Sequence, residues 1–143
     1  MDITELMIGD TLAYLDDEQL VIVDIKKIDG LCGIVCVRQD NGHVFNTTID
    51  NLYPIPITED ILKLNFHDAK DLDDLIWWPL RDKPGKFCVS LSRSDPDDMN
   101  KYIHKYSGIC DYVHQLQNIL RHCGKSDKIS LPVENYSPKN IDS

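Results

Sequence analysis

Thr11-Leu12-Ala13-Tyr14-Leu15-Asp16-Asp17-Glu18-Gln19-Leu20-Val21-Ile22-Val23-Asp24-Ile25-Lys26-Lys27-Ile28 is the stretch whose reading decides the fold. Thr11 to Leu15 and Gln19 to Ile28 are rich in Val, Ile and Tyr, the side chains that suit a pleated, half-buried surface. Asp16-Asp17-Glu18 separates the two runs as a turn. Leu31 to Arg38 and Val44 to Ile49 continue the pattern, separated by Asp29-Gly30 and Asp40-Asn41-Gly42. Glycine at both breaks supplies the positive φ that a tight hairpin needs. The expected product is a meander of four or five short strands. It opens at a Gly9-Asp10 turn and closes at Leu52-Tyr53-Pro54. Curling into an SH3-like small barrel is its most economical form, because closure hides the strand edges.

Downstream, Pro54 and Pro56 stiffen an extended exit, and Thr58-Glu59-Asp60-Ile61 combines a Thr cap with two acids in the first turn. A helix of about two turns should follow. Asn65 to Asp74 reads as a polar connector. Leu75 to Leu80 and Lys86 to Leu91 then read as strands around Lys83-Pro84-Gly85. Lys101 to Tyr106 offers a third, with Tyr102, His104 and Tyr106 on one face and Ile103 on the other. Ile109, Val113, Leu116 and Leu120 fall on one stripe of a helix expected from Ile109 to Cys123, with Gly124 as its left-handed cap. Val113, Leu116 and Leu120 should be buried, with Gln115 and part of His114 accessible. In the polar tail, Ile129, Leu131 and Val133 suggest at most an edge strand, since Pro132 denies it a central place. The organisation expected is α+β: a barrel over 1–57, helix, strands and helix over 58–124 packed on it, and a tail over 125–143.

Charge and composition narrow the function. The chain has 143 residues, 42% of them hydrophobic, enough for one core without metal or disulfides. Its net charge of −9 is concentrated in residues 1–57, where three Lys or Arg face ten Asp or Glu. That excess opposes direct nucleic-acid binding and docking on anionic lipid. MDITELMIGD carries acids where a signal or transit peptide carries Lys or Arg, and no apolar run is long enough to span a bilayer, so a cytoplasmic protein is expected. Cys32, Cys36, Cys88, Cys110 and Cys123 are odd in number and mostly set among apolar residues, the pattern of reduced, buried thiols.

Two strings, Leu52-Tyr53-Pro54-Ile55-Pro56-Ile57-Thr58-Glu59-Asp60-Ile61-Leu62 and Tyr112-Val113-His114-Gln115-Leu116-Gln117-Asn118, occur in that order. Together they resemble a set of small uncharacterised proteins of Bacteroides-type gut bacteria and their prophages or mobile elements. In that set a barrel-like N-terminal part leads to a PIPLTEEIL helix start and later to a YVHQLQN helix. The resemblance spans most of residues 8–123 and implies a fold and a genomic setting, with no reaction, ligand or catalytic residue. The family helix runs on into an aromatic, TGEEL-like ending, whereas Ile119-Leu120-Arg121-His122-Cys123-Gly124 leads here to a different tail.

No catalytic motif emerges. Cys110 and His114 stand four apart, with His122 and Cys123 further on, but no CxxC or HExxH string accompanies them, so no metal or cofactor is expected. The acids Asp68, Asp71, Asp73, Asp74 and Asp95, Asp97, Asp98 lack the EF-hand pattern and read as solvated. Cys110, Asp111 and His114 supply nucleophile, acid and base types without the right angular spacing, and a thiol beside an apolar stripe is a poor thiolate. His114, Gln115 and Asn118 gather donors and acceptors within about one helical turn. They suit either a partner surface or internal hydrogen-bonding struts. Alternation sends one of Trp77 and Trp78 inward and the other outward, where an indole beside Pro79 would anchor an interface. The leading expectation is a non-enzymatic module that binds another protein. An acidic mimic of nucleic acid that blocks a host enzyme, and an unrecognised hydrolase or metal enzyme, are the alternatives.

Overall fold

The computed structural model describes residues 3–30, 33–66, 75–95 and 97–132, with backbone alone at 92–95 and 98–105. The described chain forms an α+β structure of two units. One runs to Pro56 and includes Tyr112–His114; the other comprises Ile57–Asp111 and Gln115–Pro132.

The first unit is a five-stranded antiparallel sheet of β1 (Thr11–Asp16), β2 (Gln19–Ile28), β3 (Ile34–Arg38), β4 (Val44–Thr47) and β5 (Leu52–Tyr53), in the order β4-β3-β2-β1-β5. Period-2 alternation puts Leu12, Val21, Val23, Ile25, Ile34, Cys36 and Leu52 into one buried cluster, with Tyr14 and Phe45 packed against it. Tyr14 and Phe45 lie on β1 and β4, three interstrand spacings or about 14 Å apart on a flat sheet. Their ring centroids are 4.6 Å apart. The sheet is therefore strongly curled about this cluster. It nevertheless stays open where the sequence predicts a closed barrel: among the described residues no ladder joins β4 to β5. β5 is two residues long, pairs with β1, and runs into Pro54 and Pro56, which have no amide hydrogen to extend a ladder.

Asp16 pairs with Gln19, so Asp17 and Glu18 alone connect β1 to β2, and both adopt positive φ, 47° and 67°. That is the two-residue hairpin geometry for which Asn-Gly or Asp-Gly is preferred. Glu18 carries the left-handed penalty of an L-residue, about 1–2 kcal/mol, partly offset by the entropy a glycine would lose. Glu18→Gly is expected to raise stability by about 0.5–1 kcal/mol in urea denaturation, with the slope unchanged.

The second unit contains α1 (Glu59–Asn65) and a sheet of β6 (Ile76–Pro79), β7 (Phe87–Asp95) and β8 (Asp98–Cys110), in that order and antiparallel. Thr58 caps α1 as its spacing foretells, its hydroxyl accepting from the Ile61 amide at 3.2 Å. Pro84 and Gly85 occupy the centre of a turn closed by Lys86 N–H donating to Lys83 O at 3.1 Å, with Gly85 at φ 79°. α2 (Val113–His122) has its first two residues in the first unit and the rest in the second.

Two expectations need correction. The helix does not start at Ile109: Ile109 and Cys110 finish β8, paired with Cys88 and Phe87. Alternation explains this, since Cys110 is buried and Ile109 is exposed, an arrangement the ladder satisfies better than a helical stripe does. Gly124, at φ 72°, does end the helix. The tail up to Pro132 forms no strand, although Ile129 is buried. Its backbone is held instead by the side chain of Asn65, which donates to Ser130 O at 2.8 Å and accepts from Ser130 N–H at 2.7 Å. Val133 lies outside the described residues.

Candidate interaction surface

The sheet of the second unit sorts its side chains by register. Trp78 pairs with Cys88 and Cys88 with Ile109, while Ile76 pairs with Ser90 and Ser90 with Ser107. These six therefore share one face. Ile76, Trp78 and Ile109 on it are 52%, 40% and 43% exposed, and Cys88 is half-buried. The other face carries Trp77, Phe87, Val89, Leu91 and Cys110, all buried except the half-buried Trp77.

Alternation thus separates the two indoles. Trp77 meets Phe87 edge-on, centroids 6.1 Å apart at 72°, and its Nε1–H donates to Phe66 O at 3.1 Å. A partly buried indole with a satisfied N–H is a packing residue. Trp78 presents its ring outward, in line with Cys88 and Ile109. Apolar side chains contiguous across three strands differ from the singly scattered apolar residues that any surface carries.

His114, Gln115 and Asn118 do not form one accessible cluster. His114 is 2% exposed, contrary to the partial accessibility expected of it, Gln115 is half-buried and Asn118 is exposed. The reason lies in the helix's width of burial: His114 and Gln117 join Val113, Leu116 and Leu120 in a broad buried arc. Gln115 Oε1 accepts from Asp111 N–H at 3.1 Å, a strut across the start of the helix. Gln117 is a buried polar residue that the pattern missed, although it lies four after Val113 and three before Leu120. Its Nε2–H donates to Asp127 O at 2.9 Å, which satisfies the amide.

The remaining chemistry is dispersed. Burial pushes the Cys36 thiol up to about 11, with the Asp24 carboxylate adding to the effect, so it is no nucleophile at neutral pH. Asp111 accepts from Lys86 Nζ at 3.0 Å. Cys32 and the acids Asp68, Asp71, Asp73 and Asp74 lie outside the described residues, as do the side chains of Tyr102, His104, Asp95 and Asp98. Among the described residues no three His, Cys, Asp or Glu side chains gather closely enough to hold a metal ion, and no helix is long and apolar enough to cross a membrane.

In the acidic first unit, carboxylates are spent on internal partners. Asp40 receives two hydrogen bonds from Arg38, at 3.0 and 2.7 Å, and Asp16 a third at 3.1 Å. The hydrogen bond from Arg38 holds the Asp40 carboxyl below the usual range. Asp24 accepts from Thr11 Oγ1 at 2.7 Å and from Gln39 Nε2 at 3.1 Å, and Asp29 lies 3.2 Å from Lys27 Nζ. Comparison of the chain with protein-family models, with curated proteins and with solved structures finds no match.

Proposed function

We propose that the protein is a non-enzymatic interaction module that docks another protein on the exposed face of the β6-β7-β8 sheet, and that a phage or mobile element carries it. The outward row Trp78, Cys88 and Ile109, extended by Ile76, carries this reading. A large aromatic side chain in an apolar row matches an interface centre, which is enriched in Trp, and the Lys86–Asp111 ion pair that lies beyond Cys88 and Ile109 on this face stands as a charged rim beside it. Ser90 and Ser107 on the same face supply polar groups beside the apolar row. The first unit acts in this reading as an SH3-like scaffold. Its strand order, with β5 returning to β1 after a short 3-10 turn at Ile49–Asn51, and the cross-sheet contact of Tyr14 with Phe45 support that likeness. The genomic setting rests on the paired motif strings alone, and gene neighbourhood tests it.

The mimicry alternative draws little support from the acidic unit, because Arg38 engages two of its carboxylates and two more, Asp10 and Asp24, accept hydrogen bonds. A phosphate-like array needs unengaged charge on one face.

Replacing Trp78 and Ile109 together by Thr keeps β propensity while removing the apolar row. Affinity capture from native extract, compared between the full wild-type chain and this double variant, should yield a protein partner with the first and lose it with the second. Melting temperatures should stay within a few degrees. A partner captured equally by both would remove this face as the docking surface.

A further inference from the structure

The first turn of α2 carries a titratable side chain that none of this uses. His114 is 2% exposed, and among the described residues neither Nδ1 nor Nε2 has a hydrogen-bond partner. Its ring stacks on Tyr112, with centroids 5.9 Å apart at 16°. The nearest carboxylate oxygen, Glu5 Oε2, lies 3.9 Å from Nε2, too far for a hydrogen bond, and the Glu5 side chain is half exposed. Glu5 ends the short 3-10 turn Ile3–Glu5 at the start of the described chain. A buried imidazole with two unmatched nitrogens costs folding free energy that a hydrophobic side chain there would not.

We propose that His114 is an acid-sensitive latch of the first unit, whose protonation disrupts the buried packing of the Tyr112–His114 segment and so lowers the stability of the fold. At neutral pH the ring is uncharged and packs as a flat apolar plate on Tyr112. Proton uptake places a cation where no acceptor among the described residues lies within hydrogen-bond reach. The ring must then move towards Glu5 and solvent, or drag Glu5 inward. Two carboxylates act on it: Asp10, buried before β1, and Glu5 both favour the cation. Burial is the largest influence and outweighs the two carboxylates, so the His114 pKa falls below the ordinary 6.5. The direction of the stability effect follows. With the folded pKa below the unfolded one, the unfolded chain binds more protons between the two values. Stability is then full above about pH 6.5, and it drains away as pH falls towards the folded pKa.

Two measurements test this on the full chain. Histidine ring resonances followed by NMR through a pH titration should show His114 titrating below 6.5. Urea midpoints should fall from pH 7.5 to pH 5.5 in wild type and hold nearly constant in His114→Gln. Glu5→Gln removes a carboxylate that favours the cation, so it should lower the His114 titration midpoint further. If His114 titrates at or above 6.5, or if wild type and His114→Gln lose midpoint in parallel, the latch is refuted. Should His114→Gln fail to fold, the NMR titrations of wild type and Glu5→Gln decide the matter alone.

Discussion

Truncating Leu116 to Ala should destabilise the protein by about 2–5 kcal/mol, the range for deleting a large buried side chain. Leu116 is fully buried, and it lies three residues after Val113 and four before Leu120, so its side chain sits in the middle of the buried arc of α2. A helix backbone cannot collapse into the space that three missing carbons leave. The surroundings therefore lose dispersion contacts in addition to the transfer free energy of the removed atoms. Leu116→Met, which conserves volume, should cost less than about 1.5 kcal/mol. Asn118→Ala, two positions on and exposed, should fall within about 0.5 kcal/mol of wild type. Urea denaturation with a constant slope separates these outcomes. A Leu116→Ala loss no larger than that of Asn118→Ala would show that the buried arc of α2 has been assigned to the wrong residues.

The same helix shows which parts of the structure sequence pattern can reach. Its body and its end were legible: Val113, Leu116 and Leu120 repeat at helical spacing, and Gly124 stops the helix where a left-handed residue is needed. Its start was not. Ile109 lies at helical spacing from Val113, yet it also sits one residue before the buried Cys110 in a strand that alternates. A single apolar residue fits both periods, and only the pairing of Cys88 with Ile109 decides between them. His114 illustrates a different limit. Pattern treats polarity as a vote for solvent, whereas a neutral imidazole against Tyr112 packs as an aromatic ring. The meander of the first unit was legible in detail, with β2 running from Gln19 to Ile28 as its residues suggest, because each run is bounded by turn chemistry. Closure was not, because joining β4 to β5 depends on long-range geometry and on whether two residues before Pro54 can sustain a second ladder.

Trp78 was legible for a local reason. With two adjacent indoles in one strand, alternation alone puts them on opposite faces, and only the assignment of inside and outside is left open. Phe66 O settles it by accepting the Trp77 N–H, and the register then aligns Trp78 with Ile109 across β7. The apolar row thus follows from strand pairing that no local pattern encodes.

Asn65→Asp should lower stability by about 1–3 kcal/mol at neutral pH, the cost of removing partners from groups held by a single side chain. Nothing in the sequence marks Asn65, the last residue of α1, yet its amide ties that helix to a segment 65 residues away. Nδ2 donates to Ile61 O and to Ser130 O, each at 2.8 Å, and Oδ1 accepts from Ser130 N–H at 2.7 Å. The amide orientation is fixed by this set, since the reverse would aim an oxygen at two carbonyls. A carboxylate keeps the acceptor for Ser130 N–H and loses both donors. One of its oxygens then faces two carbonyl oxygens, and its charge sits at the C-terminal, negative end of α1. Ser130 is exposed, so water replaces part of what is lost, which keeps the cost below that of a fully buried orphan. The pH dependence carries the sharper test. Protonation restores one O–H donor, so the introduced carboxyl has a raised pKa in the folded state, above the ordinary value of about 3.9. Stability contributed by the protonated form is fully present below the unfolded pKa and is lost as pH rises through the folded one. The difference between wild type and Asn65→Asp should therefore be largest near pH 7 and shrink towards pH 4. Asn65→Ala, with no titrating group, should show a difference from wild type that stays flat over the same interval. Flat differences for both variants would mean that Asn65 does not bind the two carbonyls through its amide nitrogen.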